Sequence, residues 1–202
     1  MILRPVLMPV PGGTARRSRG LQSARTQVRG SLAAQRRVAR QALAECARRS
    51  GLPDLEWVKD ADDVPTPCRG FHWSISHKPL WAAAVIADQP VGIDLERIAP
   101  RNPHLFKGLA DDEEWARLGD RSWEAFFRLW TAKEATLKAN GVGIGGLSKC
   151  RLVEIADATH MTMCYKDHNC PIEHYRHQDH LAAITVSGEG VVWSVVPSVP
   201  GA

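Results

Sequence analysis

Val91-Gly92-Ile93-Asp94-Leu95-Glu96 is the stretch that most restricts the folds open to this chain. Apolar Val91, Ile93 and Leu95 alternate with Gly92, Asp94 and Glu96, the period of a strand with one buried face. Residues two apart on a strand share a face, so the Asp94 and Glu96 carboxylates point together. Like charges this close repel unless a cation lies between them, and hard oxygen donors at this spacing suit Mg²⁺. A strand with one solvated face gives the same pattern, so the two acids alone leave both readings open.

Phe126 to Lys138 reads as a helix whose apolar face is made of Phe126, Phe127, Leu129, Trp130 and Leu137. Glu134 and Lys138, four apart, share a face one turn from each other. An exposed ion pair and a third metal carboxylate beside a phosphate-gripping cation both fit that spacing. Lys133 points about 100° away from its neighbour Glu134 on a helix, which suits a supporting role.

Three segments in this order resemble the 4′-phosphopantetheinyl transferases: Trp73-Ser74-Ile75-Ser76-His77, then Gly92-Ile93-Asp94-Leu95-Glu96, then Trp130-Thr131-Ala132-Lys133-Glu134-Ala135-Thr136-Leu137-Lys138. The resemblance implies a mixed α/β (α+β) fold of two similar, pseudo-twofold-related halves. Each half would be a small antiparallel sheet with packed helices, and the active site would lie between them. The division expected here is residues 1–99, with the basic arm and helix, the coenzyme A phosphate contacts and the Asp94/Glu96 strand, and residues 100–202, with the Glu134/Lys138 helix and the C-terminal strands. The smaller holo-acyl-carrier-protein synthases share the metal motif but are about half this length and form trimers, so the longer, monomeric type is the closer likeness.

The whole chain of 202 residues carries a net charge of +4, yet residues 1–50 hold eleven arginines and one acid, Glu45. A segment this basic invites a polyanion: nucleic acid, a phosphate-rich cofactor or an acidic protein. Pro11 to Arg19, rich in Gly, Arg and Ser, reads as a partly disordered arm. Leu21 to Arg49 reads as a helix closed by Gly51 and Pro53, with Val38, Ala42 and Leu43 as its core face and Arg36, Arg37 and Arg40 beside it. Arg37-Val38-Ala39-Arg40-Gln41-Ala42-Leu43 resembles a family segment whose arginines meet the 3′-phosphate of coenzyme A; a solvated helix face fits as well.

The opening apolar residues are broken by Arg4, Pro5 and Pro9, which favours a strand over a signal peptide. No run approaches the ~18 apolar residues of a membrane span. Five cysteines without framework spacing point to reduced thiols and a cytoplasmic protein. Leu55 to Val58 reads as a short strand and Asp60 to Pro67 as a turn-rich loop. The family's Gly-Lys-Pro is absent there, replaced by Asp62-Asp63-Val64-Pro65. Gly70 to Ile86 reads as two strands turning at His77-Lys78-Pro79 and continuing as an antiparallel meander into the Asp94/Glu96 strand. Ile98 to Pro103 reads as a linker, and Asp111 and Asp112 start a helix that Gly119 ends. Leu109 to Glu114 resembles a family segment that would bring Glu113 near the site, although an acidic first turn explains it equally.

Beyond Lys138, the glycine-rich Asn140 to Gly146 lacks the Gly-Lys-Ser/Thr ending of a phosphate loop and reads as a helix cap and turn. Strands are expected over Arg151–Ile155, Met161–Tyr165, Leu181–Val186 and Val191–Val195. Cys164, His168, Cys170, His174, His177 and His180 fit no tight zinc spacing and read as a polar hairpin rim.

What the resemblance implies for chemistry is transfer of 4′-phosphopantetheine from coenzyme A to a serine of an apo carrier protein, a holo-acyl-carrier-protein synthase type of reaction that releases 3′,5′-ADP. Asp94, Glu96 and Glu134 would hold Mg²⁺, with Mn²⁺ as the alternative. Arg37, Arg40, Ser76, His77 and Lys138 would hold coenzyme A, and Glu134 would take the serine proton. The expected partner is a small acidic carrier domain, steered by Arg16, Arg17 and Arg19, with neither membrane nor nucleic acid. Two alternatives are a non-catalytic coenzyme A-binding homologue and a basic nucleic-acid-binding protein; the latter lacks an aromatic stacking platform.

Overall fold

The computed structural model describes residues 1–11, 21–188 and 190–197, with the backbone alone for 21–31. Arg16, Arg17, Arg19 and most of the expected basic arm lie outside the described residues. Strand β3 (Trp81–Ala87) is buried at every position. A strand with no polar residue needs cover on both faces, and each face has it. Ala82, Ala84 and Ile86 pack against Val38, Ala42, Leu43 and Cys46 of helix α1 (Leu21–Arg49). Ala83 and Val85 pack against Ile93, Leu95 and Ile184 of a second sheet. The expected α1 core face is therefore the observed one.

The first sheet also contains β1 (Val6–Pro9) and β2 (His72–His77), both antiparallel to β3, and β9 (Ser194–Val195), which lies parallel to β1. The second sheet is antiparallel throughout. It runs β4 (Ile93–Arg97), β8 (His180–Thr185), β7 (His168–His177), β6 (His160–Tyr165), β5 (Cys150–Ile155). Against its outer face lie α2 (Leu105–Leu109), α3 (Asp112–Leu118) and α4 (Trp123–Ala139). The result is four layers, helix, sheet, sheet, helices, a mixed α+β fold with two sheets as the motifs implied.

Several local expectations change. After β3 the chain does not continue the meander: β4 leaves the first sheet and pairs with β8. In return β9, from the end of the chain, joins the first sheet, so the sheets interleave across the expected division at residue 99. Leu55–Val58 forms no strand; Val58 instead accepts from the Thr66 amide in an irregular loop. Of Val191–Val195 only the last two residues are strand. An unforeseen ten-residue strand, β7, runs through the middle of the second sheet. Its sequence hid it because Pro171 argues against a central strand, and its inward positions are Ile172 and His174 rather than two aliphatic residues.

Asp111 caps α3 in a capping box with Glu114, and Gly119 ends it in the left-handed region, as the sequence indicated. All five cysteines are unpaired. Among the described residues, no helix is long and apolar enough to cross a membrane.

Candidate active site

The site is built where β4 meets α4, and Gly92 sets that approach. A Cβ at Gly92 would lie 1.9 Å from the Ala135 carbonyl oxygen, so only glycine lets the strand come this near the helix. The next residues on that face are Asp94 and Glu96, which point toward Glu134 and Lys138 of α4 while Val91, Ile93 and Leu95 fill the core between the sheets. The shared face expected from the alternation is observed.

The other edge of β4 is closed by β2. The Ile93 amide donates to Ser74 Oγ at 3.1 Å and the Leu95 amide to Ser76 Oγ at 3.2 Å. Ser76 in turn donates to Asp94 Oδ1 at 2.9 Å. Alternate serines on one strand thus replace backbone pairing on its neighbour, and the two sheets are joined through hydroxyls. The expectation for Ser76 was a coenzyme A contact; in the structure its hydroxyl is committed to β4.

One cavity of about 700 Å³ opens at this joint, and Asp94, Glu96, Glu134, Lys138, Arg37, Arg40, Ser76 and His77 all line it. Asp94, Glu96 and Glu134 form an acidic floor. Arg37 and Arg40 of α1, His77 at the end of β2, and Lys138 form a cationic wall. Arg36, Lys59, Asp63, Ile75, Ser76, Lys78, Trp130 and Ile144 complete the lining. The sequence did not assign Lys59 to the site. It projects from a tight loop in which Asp60 Oδ1 accepts from the Asp62 and Val64 amides, and it pairs with Asp63 at 2.9 Å. Arg36 was detectable, lying one helical turn before Arg40. Lys59 had no periodicity to announce it.

The charges are distributed unevenly. Lys138 Nζ donates to Asp94 Oδ1 at 2.7 Å and to the Ile93 carbonyl at 3.0 Å. Lys78 Nζ lies 2.6 Å from Glu96 Oε1. Burial raises the Glu134 carboxyl above its ordinary value, and the nearby Asp94 charge adds to this against the pull of Lys138. Burial likewise raises Glu96, opposed by Lys78 and reinforced by Asp94. His77 is lowered by burial and then by Arg36, Lys138, Lys78 and Lys59; its Nδ1 lies 3.2 Å from Gln35 Oε1. Arg40 is anchored, donating to the Trp57 carbonyl at 2.6 Å with its guanidinium over the Trp73 ring.

The donor set fits a hard divalent cation. Asp94 Oδ2 and Glu134 Oε1 are buried oxygens without a hydrogen-bond partner, and buried orphan carboxylate oxygens are costly unless a cation meets them. Among the described residues no three His, Cys, Asp or Glu side chains are already gathered as a ligand set; lysines hold Asp94 and Glu96 instead.

Other candidates fall away from the cavity. Glu113 is exposed and pairs with Arg117 at 2.8 Å. Its neighbour Glu114 is the buried one, pairing with Lys133 at 3.0 Å and accepting from the Leu152 amide. Lys133 is a structural link between α4 and α3, consistent with its direction on the helix. In β7, His174 is buried between the Arg128 and Thr159 carbonyls and is core, whereas His168 lies at the exposed end.

A model of the 4′-phosphopantetheinyl transferase superfamily matches residues 90–191. That span contains Asp94, Glu96, Glu134 and Lys138 and leaves out the β2 and α1 residues of the cavity. The 4′-phosphopantetheinyl transferase psf-1 of Bacillus pumilus is 36% identical over 108 residues, 50% of this chain and 45% of that protein. The 4′-phosphopantetheinyl transferase Sfp of Bacillus subtilis (strain 168) is 31% identical over 77 residues, 36% of this chain and 34% of that one. The human L-aminoadipate-semialdehyde dehydrogenase-phosphopantetheinyl transferase is 32% identical over 100 residues, 42% of this chain and 32% of that one. The matched stretch spans less than half the length of each of these relatives.

Proposed function

Because the chain belongs to the 4′-phosphopantetheinyl transferase superfamily, we propose that it moves 4′-phosphopantetheine from coenzyme A to a serine of an apo carrier protein. The observation that carries the reading is a cavity in which three carboxylates face a wall of cations. Coenzyme A presents a pyrophosphate and a 3′-phosphate, and such a wall suits both.

In the proposed reaction the serine Oγ attacks the phosphorus that bears pantetheine. The Oγ–P bond forms, the P–O bond to the nucleotide half breaks, and 3′,5′-ADP leaves with the bonding pair. The serine proton passes to Glu134, a carboxylate of the cavity floor with a second oxygen besides the one a cation would meet. Asp94, Glu96 and Glu134 would hold Mg²⁺, which when bound supplies positive charge to the pyrophosphate as negative charge shifts to the leaving group. Lys138 has three N–H donors; Asp94 and Ile93 occupy two, and the third can meet a phosphate oxygen. Arg36, Arg37, Lys59 and His77 would bind the nucleotide phosphates, and anchored Arg40 adds its charge. The acceptor would be an acidic carrier domain, attracted by the basic surface of α1.

The test is the intact mass of an apo carrier protein incubated with this protein, coenzyme A and Mg²⁺, beside an Asp94→Ala control. A gain of one phosphopantetheine that disappears in the control supports the reading. Coenzyme A binding without transfer, across fatty-acid, polyketide and peptide-synthase carriers, would favour a non-catalytic homologue.

A further inference from the structure

The turn between β2 and β3 carries a lysine that the proposed transfer does not itself require. Its backbone is fixed, with the Lys78 amide donating to the Trp81 carbonyl at 2.8 Å. From that base the side chain reaches Glu96, with Nζ 2.6 Å from Oε1. Lys138 is held differently, on a rigid helix and on two acceptors, Asp94 and the Ile93 carbonyl. The Lys78 side chain keeps 31% of its surface exposed while that of Glu96 keeps 11%, so the lysine can withdraw toward solvent and the carboxylate cannot.

A divalent cation on the acidic floor would therefore find one of its three carboxylates already occupied. Two cations crowded on a buried carboxylate repel with little help from solvent screening. We propose that Lys78 is a tethered counter-cation of Glu96, which a divalent metal ion has to displace, so that Lys78 sets the metal affinity of the site. The inference rests on the reading of Asp94, Glu96 and Glu134 as the metal carboxylates. It accounts for acids that lie in one cavity without forming a ready ligand set: the turn places a substitute charge on Glu96. A displaced ammonium remains in the cavity lining, where an entering phosphate can receive it.

Mn²⁺ binding to the intact protein, read from the electron paramagnetic resonance signal of the free ion, tests this without any turnover. Lys78→Met is expected to bind Mn²⁺ roughly tenfold tighter than wild type, a typical size for two coupled occupancies. Lys78→Gln, which keeps a polar group at this partly exposed position, should do the same, and Lys78→Arg should stay near wild type. Far-ultraviolet circular dichroism and Tm establish that each variant is folded. Mn²⁺ binding that is lost in Glu96→Gln but no tighter in Lys78→Met or Lys78→Gln overturns the role of Lys78 and leaves the metal reading standing. Absence of Mn²⁺ binding in wild type and in both Lys78 variants, with or without coenzyme A, overturns the metal reading and the inference together.

Discussion

Gly92 and Ala135 are in such close contact that β4 and α4 meet backbone to backbone: a methyl group on Gly92 would lie 1.9 Å from the Ala135 oxygen and 2.7 Å from the Ala139 nitrogen. Neither obstacle is the tip of a flexible side chain, so relief requires the strand and helix to separate. Gly92→Ala should cost about 2–3 kcal/mol in urea denaturation, the upper range for overpacking. It should also weaken Mn²⁺ binding, because Asp94 and Glu134 sit on the two elements that would move apart. Unchanged stability would mean that the helix shifts freely.

Lys133 and Glu114 form a buried pair, with 3% and 5% of their side-chain surfaces exposed. Removing one charge from such a pair strands the other. Lys133→Met should therefore cost about 3–5 kcal/mol by urea denaturation. Adding Glu114→Gln should restore most of the loss. Equal stability of the single and double variants would show that the loss comes from the Leu109 carbonyl that Lys133 also meets.

His174 gives folding a pH dependence. Burial lowers its imidazole from 6.5 to about 4. Between those values the unfolded chain binds the proton and the folded chain does not, so stability is complete above pH 6.5 and falls as pH drops toward 4. The loss should reach about 3 kcal/mol if the full shift is realised. Denaturation midpoints of wild type and His174→Gln across this range check it; the variant should have the flatter profile.

His77 links proton uptake to ligand binding. Burial and the surrounding cations hold its imidazole below 6.5. A phosphate neutralises those cations and raises the imidazole again, so coenzyme A should bind with uptake of a proton and more tightly as pH falls through 6.5. Calorimetry in buffers of different ionisation enthalpy measures the uptake, and His77→Gln should reduce it.

Glu134→Gln removes the proposed base while keeping the shape of the side chain. Transfer to an apo carrier should fall at least about 100-fold. Chelation of divalent cations should abolish transfer in wild type and be reversed by added Mg²⁺. A variant that transfers at the wild-type rate would remove Glu134 from the base role.

What could be read before folding was whatever a local period records. Alternation placed Asp94 and Glu96 on one face of β4, and helical spacing placed Glu134 one turn from Lys138 and put Val38, Ala42 and Leu43 on one side of α1. Glycine and acidic caps marked both ends of α3. Each is a relation between near neighbours in the chain, fixed by backbone geometry alone. Tertiary structure decided everything that depends on which elements meet. It sent β4 to β8 rather than to β3, gave the Ser74 and Ser76 hydroxyls to the edge of β4 and brought Lys59 to the cavity from an irregular loop. It also chose Glu114 over Glu113 as the buried partner of Lys133 and set Lys78 on Glu96. The physical reason is that a carboxylate's partner, and so its charge state and use, comes from whatever the fold packs against it, and no spacing within one segment carries that information.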